Sequence, residues 1–137
     1  MPNLHGVLET SLYVEDLKRS VAFYKALFGF ETLAADDRFC ALNVSDRYVL
    51  LLFRKGASSE PMKTAGGTIP PHDGGGQLHL AFSIPKGDLE EWERRLGEQG
   101  VSIESKVVWE RGGTSIYFRD ADGHLIELVT PGLWSIY

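Results

Sequence analysis

One order of elements, written twice along the chain, restricts the fold more than any other feature. An alternating stretch over residues 7–14 leads into an amphipathic helix that Asp16 opens and Gly29 closes, and short strands follow near 31–35, 39–44 and 48–54. The second half repeats this order. A strand over 77–84 precedes the helix LEEWERRLGEQ, capped by Asp88 and ended at Gly100, and strands follow near 102–109, 114–119 and 125–130. The copies share few letters, so the repeat lies in periodicity and turn residues, offset by about 70 to 77 positions. The order predicts an α+β fold: two βαβββ modules forming curved mixed sheets around a cup-shaped site, with the helices on the outside. At 137 residues the chain is expected to be one domain, 1–137, with modules of about 1–56 and 75–132. Between them GASSEPMKTAGGTIPPHDGGG, residues 56–76, reads as a Gly/Pro-rich loop, either a lid over a site or a mobile linker.

Charge and composition exclude several classes of function. Lys and Arg number 14 against 19 Asp and Glu, a net charge of −5, and no basic stripe offsets it, so neither nucleic acid nor an anionic membrane is an expected partner. The longest apolar run, residues 48–53, is too short to cross a bilayer, and the opening MPNLHGVLET does not read as a leader. The lone Cys40 allows no internal disulfide and has no base beside it, so it reads as a small buried hydrophobe in a cytoplasmic protein.

Strand parity then sorts the remaining chemistry. Successive side chains of a strand point to opposite faces, which separates Glu9, Ser11 and Tyr13 from Leu8, Leu12 and Val14. The same rule separates His79 from Leu78, Leu80 and Phe82, and leaves Glu127 on a face otherwise apolar, where a carboxylate needs a partner. Glu9, His79 and Glu127 therefore occupy equivalent faces of three strands, a donor set suited to a divalent metal. A satisfied core histidine, with carboxylates paired to arginines or lying in a wet groove, suits the same pattern. Tyr117 shares its face with Ser115 and Arg119. Asp120, Asp122, Gly123 and His124 read as a turn rather than an ion-binding loop, and His72 lies within the long loop, where closure of a lid would bring it to a ligand.

LETSLYVEDLKRSVAFYKALFGF, QLHLAFSIP and GGTSIYFRDADGHLIELVTPG resemble the vicinal oxygen chelate superfamily, which includes glyoxalases, extradiol dioxygenases, fosfomycin resistance enzymes and bleomycin resistance proteins. The resemblance covers almost the whole chain. It implies that His79 and Glu127 are metal ligands and that Glu9 stands where many members carry histidine or glutamine. A carboxylate there makes the site harder and more anionic, favouring manganese while leaving iron, zinc, nickel and cobalt open. It also implies that Leu50 stands where glyoxalase-type members take a fourth ligand, flanked by the equally inert Val49 and Leu51, which disfavours a four-ligand glyoxalase. By the same resemblance Tyr117 lies close to the pocket, as the catalytic hydrogen-bond or proton donor, with core packing the alternative. Ser11, Tyr13, Ser115 and Arg119 are the candidate substrate contacts.

Two functions follow as expectations. The first is a metal-dependent enzyme acting on a small substrate chelated through vicinal oxygens, dioxygenase-like or lyase/transferase-like, and working as the homodimer common among relatives. The second is a non-catalytic protein of the bleomycin resistance type that sequesters a small molecule, with Trp109, Trp134 and Tyr137 as stacking surface.

Overall fold

Asp16 and Gly29 bound the first helix, α1 (Leu17–Phe28), for the reasons their chemistry supplies. The Asp16 carboxylate accepts from the Arg19 N–H at 3.1 Å, satisfying one of the donors a helix leaves open at its start. Gly29, at φ 71°, turns left-handed and donates its N–H to the Lys25 carbonyl. Ser20, Tyr24 and Leu27 form the buried stripe between these caps.

The computed structural model describes residues 1–137 and divides into two units, Met1–Gly75 and Gly76–Tyr137. In the first, strands β1 (Glu9–Val14), β2 (Thr32–Ala35), β3 (Phe39–Val44) and β4 (Tyr48–Arg54) form one sheet in the order β1-β4-β3-β2. β1 runs parallel to β4, and the other pairs are antiparallel. Parity divides this sheet as expected from Glu9 onward, whereas Leu8 lies before β1 and is exposed. Leu12, Val14, Leu42, Leu50 and Leu52 are buried, as are Tyr24 and Leu27 of α1, and each such side chain contributes roughly 1.5–3 kcal/mol of transfer free energy. The register pairs Glu9 with Val49, Ser11 with Leu51 and Tyr13 with Phe53, which places these six on the opposite face. Leu50 lies among the buried leucines, on the face away from Glu9, so the β4 positions beside Glu9 and Ser11 are Val49 and Leu51, and neither can ligate.

The long loop is not irregular throughout, as its glycines and prolines suggested. It contains a short hairpin, β5 (Met62–Thr64) and β6 (Gly67–Ile69), in which the Thr64 hydroxyl donates to the Gly67 carbonyl at 2.7 Å.

The second unit repeats the architecture. Strands β7 (His79–Ser83), β8 (Ser105–Val108), β9 (Thr114–Arg119) and β10 (Leu125–Val129) take the order β7-β10-β9-β8, with β7 parallel to β10. Its helix, α2 (Leu89–Glu98), corrects one expectation: the Asp88 side chain makes no capping bond. Asp88 ends a single 3-10 turn, Lys86–Asp88, and its own φ of −95° and ψ of −3° are helical, whereas a capping side chain works from extended backbone. β8 begins later than predicted because the chain after α2 stays tied to the helix, the Val101 N–H bonding the Leu96 carbonyl at 2.9 Å. Ile84, Leu96, Ile116, Phe118, Ile126 and Leu128 make up the core, and the Tyr137 hydroxyl donates to the Val129 carbonyl at 3.0 Å. No helix is long and apolar enough to cross a membrane.

Candidate functional site

Within the second unit, β10 is flanked by β7 and β9, and its register decides which side chains meet. Glu127 lies opposite Tyr117 and Leu125 opposite His79, so His79, Glu127, Tyr117, Ser115 and Arg119 share one face of the sheet. His79 is half exposed on an edge strand, while Glu127 is buried. The two side chains meet, with His79 Nε2 3.3 Å from Glu127 Oε1.

The tautomer of His79 follows from its other nitrogen. Nδ1 lies 2.9 Å from the Leu125 carbonyl, which can only accept, so Nδ1 carries the proton and donates. In the neutral imidazole the Nε2 lone pair then faces a carboxylate oxygen. Two acceptors at that distance repel unless a cation joins them, either a proton on Nε2 or a metal ion. The 3.3 Å span is also the spacing that two donors adopt when each lies about 2.0–2.2 Å from one shared ion. The remaining Glu127 oxygen, Oε2, accepts from the Ser115 hydroxyl at 2.5 Å, and Ser115 Oγ accepts from the Trp109 indole N–H at 2.8 Å. A neutral histidine oriented by a backbone carbonyl and a carboxylate oriented by a hydroxyl are the outer contacts that metal ligands require. The residues present fit a divalent ion.

Tyr117 completes the cluster, its ring centroid 6.3 Å from that of His79. Burial raises its pKa, the Ser115 hydrogen bond opposes the rise, and both the charge of Glu127 and a hydrogen bond to it add to it. The phenol is therefore neutral and a donor throughout the physiological range.

The other candidates lie as follows. Ser115, read from sequence as a substrate contact, is fully buried, with its hydroxyl between Trp109 and Glu127. Arg119 is turned to Glu104, Nε to Oε2 at 2.7 Å, and to the Gly123 carbonyl at 3.2 Å. Glu9 belongs to the first unit, where it is exposed, and no group of three His, Cys, Asp or Glu side chains suited to a metal is gathered. Ser11 and Tyr13 line a pocket of that unit together with Glu9. The Tyr13 hydroxyl lies 2.7 Å from His72 Nδ1, and burial, with Asp73 adding, raises its pKa.

The polar atoms of Trp109 and Tyr137, two of the rings read from sequence as a stacking surface, are engaged within the fold. Trp109 serves Ser115, the Tyr137 hydroxyl bonds backbone carbonyls, and Trp134 is exposed. His124 is buried in its turn and accepts the Leu78 N–H at Nδ1, while Asp120 Oδ1 accepts the N–H groups of Asp122 and His124. Sequence reasoning missed the Trp109–Ser115–Glu127 chain, because parity assigns a side chain to a face without showing which polar atoms meet across strands.

A family model described as the Glyoxalase/Bleomycin resistance protein/Dioxygenase superfamily matches residues 6–128. The glutathione transferase FosA of Serratia marcescens is 30% identical over 128 residues, covering 91% of this chain and 80% of that protein. The metallothiol transferase FosB of Staphylococcus haemolyticus is 28% identical over 131 residues, covering 95% and 86%. Among solved structures, the lactoylglutathione lyase of Agrobacterium tumefaciens superposes with a TM-score of 0.87 at 31% identity, covering 98% of this chain and 99% of that one. Family match and fold agree with the α+β, doubled βαβββ architecture, and the chain belongs to the Glyoxalase/Bleomycin resistance protein/Dioxygenase superfamily.

Proposed function

We propose that this protein is a divalent-metal-dependent enzyme of the transferase or lyase type, acting on a small substrate that offers vicinal oxygens to the ion. The observation that carries the reading is the His79–Glu127 pair, whose Nε2 and Oε1 stand 3.3 Å apart with both side chains oriented by further hydrogen bonds. A carboxylate beside one imidazole suits a divalent ion such as manganese, iron, zinc, nickel or cobalt. A bound divalent ion supplies Lewis acidity toward substrate oxygens. Tyr117 donates a hydrogen bond to the oxygen that gains charge, its phenol kept protonated by burial and by Glu127. Ser115 keeps the Glu127 carboxylate from turning away, and Trp109 keeps the Ser115 hydroxyl proton aimed at it.

The transferase and lyase branches are supported by the relatives named above, two of them transferases and one a lyase. The absence of a ligating side chain at Val49, Leu50 and Leu51 favours the transferase branch, since it leaves more of the ion open to substrate.

Equilibrium dialysis against manganese, iron, zinc, nickel and cobalt tests the centre. One ion per chain is expected in the native protein, with loss in His79→Ala and Glu127→Ala. Native protein that takes up no ion overturns the proposal. The loaded protein is then assayed with glutathione and fosfomycin for thiol transfer, and with the hemithioacetal of glutathione and methylglyoxal for lyase chemistry.

A further inference from the structure

A pocket of about 550 Å³ lies wholly within the first unit, between the sheet face that carries Tyr13 and the segment after β4. Its volume falls in the range of sites for small organic molecules. The floor is a row of rings set by register: Tyr13 lies opposite Phe53 on the neighbouring strand, and Phe53 lies opposite Phe39 on the next. Tyr13 and Phe53 have centroids 6.1 Å apart and planes inclined 28°, and Phe39 and Phe53 repeat this at 5.8 Å and 26°. Met62 and Ile69 of the β5–β6 hairpin contribute further apolar lining.

His72 packs against the middle of this row, nearest Phe53 and then Tyr13. Its ring meets Phe53 edge-on, at 4.6 Å and 81°, and its Nδ1 bonds the Tyr13 hydroxyl. Its backbone is fixed twice to Ser58, the Ser58 hydroxyl donating to the His72 carbonyl at 2.7 Å and the His72 N–H to the Ser58 carbonyl at 2.9 Å. Nε2 makes no hydrogen bond and remains available to a ligand. The charges at the pocket are unbalanced: Arg38 is paired with Asp36, whereas Glu9 and Glu60 have no ion pair. An anionic ligand would meet two uncompensated carboxylates.

We propose that this compartment binds an uncharged, planar aromatic group bearing a hydroxyl, seated on the Tyr13–Phe53–Phe39 row with its oxygen hydrogen-bonded by His72 Nε2. The compartment stands without the metal reading.

The test is calorimetric titration of the full chain, kept metal-free with chelator, using 2-naphthol and, as its anionic counterpart, 2-naphthoate. Saturable 1:1 binding of 2-naphthol is expected, with 2-naphthoate at least about tenfold weaker, as like charge at short range requires. His72→Phe keeps a ring against Phe53 but removes the donor, and is expected to weaken 2-naphthol roughly two- to tenfold, the worth of one hydrogen bond. Phe53→Leu keeps most of the volume but breaks the ring row, and is expected to weaken it by a similar factor. Unchanged melting temperatures establish that both variants are folded. Absence of saturable binding, naphthoate binding as tight as naphthol, or native affinity in both variants overturns the proposal. Naphthol binding in a protein that takes up no metal leaves this proposal standing and removes the metal reading, and the converse result does the reverse.

Discussion

At the scale of single residues, the chemistry depends on which atom of each side chain is already engaged. His79 presents Nε2 because Nδ1 is held by a backbone carbonyl, and Glu127 presents Oε1 because Oε2 is held by Ser115. Ser115→Ala removes that hold while leaving both proposed ligands in place. It is expected to lower metal affinity about 10- to 100-fold, the usual effect of losing an outer contact, as read by competition with a chelator of known affinity. Tyr117 is testable through pH as well as substitution. Its raised pKa means that the folded protein keeps the phenolic proton above the ordinary value of about 10. Below that pH both folded and unfolded chains are protonated and its contribution to stability is complete. Above it the unfolded chain ionises first, and stability falls as pH rises through the folded value. Activity is expected to hold to about pH 10 as far as this group decides it, and Tyr117→Phe is expected to lower kcat by about 100-fold or more with a smaller change in KM.

At the scale of elements, the close approaches of backbone to backbone carry the sharpest consequences. Gly132 has φ 110°, and a Cβ there would lie 2.4 Å from the Gly113 nitrogen and 2.8 Å from the Arg111 carbonyl oxygen. Neither neighbour is a flexible side-chain end. Gly132→Ala is therefore expected to cost about 3 kcal/mol or more in urea unfolding, whereas Gly75→Ala, with open space around it, is expected to stay within about 0.5 kcal/mol. The extents of α1, β3 and β4 were legible from sequence because caps, turn residues and alternation are local signals. The β5–β6 hairpin was not, since two three-residue strands among glycines and prolines show no period long enough to read. Asp88 misled for a related reason: a capping residue type is visible in sequence, but the 3-10 turn that denies it capping geometry is not.

At the scale of the whole molecule, a native-state ligand stabilises by mass action. If His79 and Glu127 hold an ion, as proposed, an excess of about 100 times Kd is expected to stabilise the protein by about 2.7 kcal/mol. The melting temperature should then rise with added ion, fall back with chelator, and fail to respond in His79→Ala. A response undiminished in that variant would place the ion elsewhere. Sequence alone determined the doubled βαβββ order and the face on which each candidate side chain lies, because both follow from local periods of 2 and 3.6 residues and from cap and turn chemistry. Only the tertiary structure decided which polar atoms meet. Ser115 turned inward to Glu127, Arg119 outward to Glu104, and His72 onto Tyr13 across 59 positions of sequence. Such contacts depend on strand register, rotamer and the path of a long loop. These are settled by packing between segments distant in sequence, and no local pattern of residues encodes them.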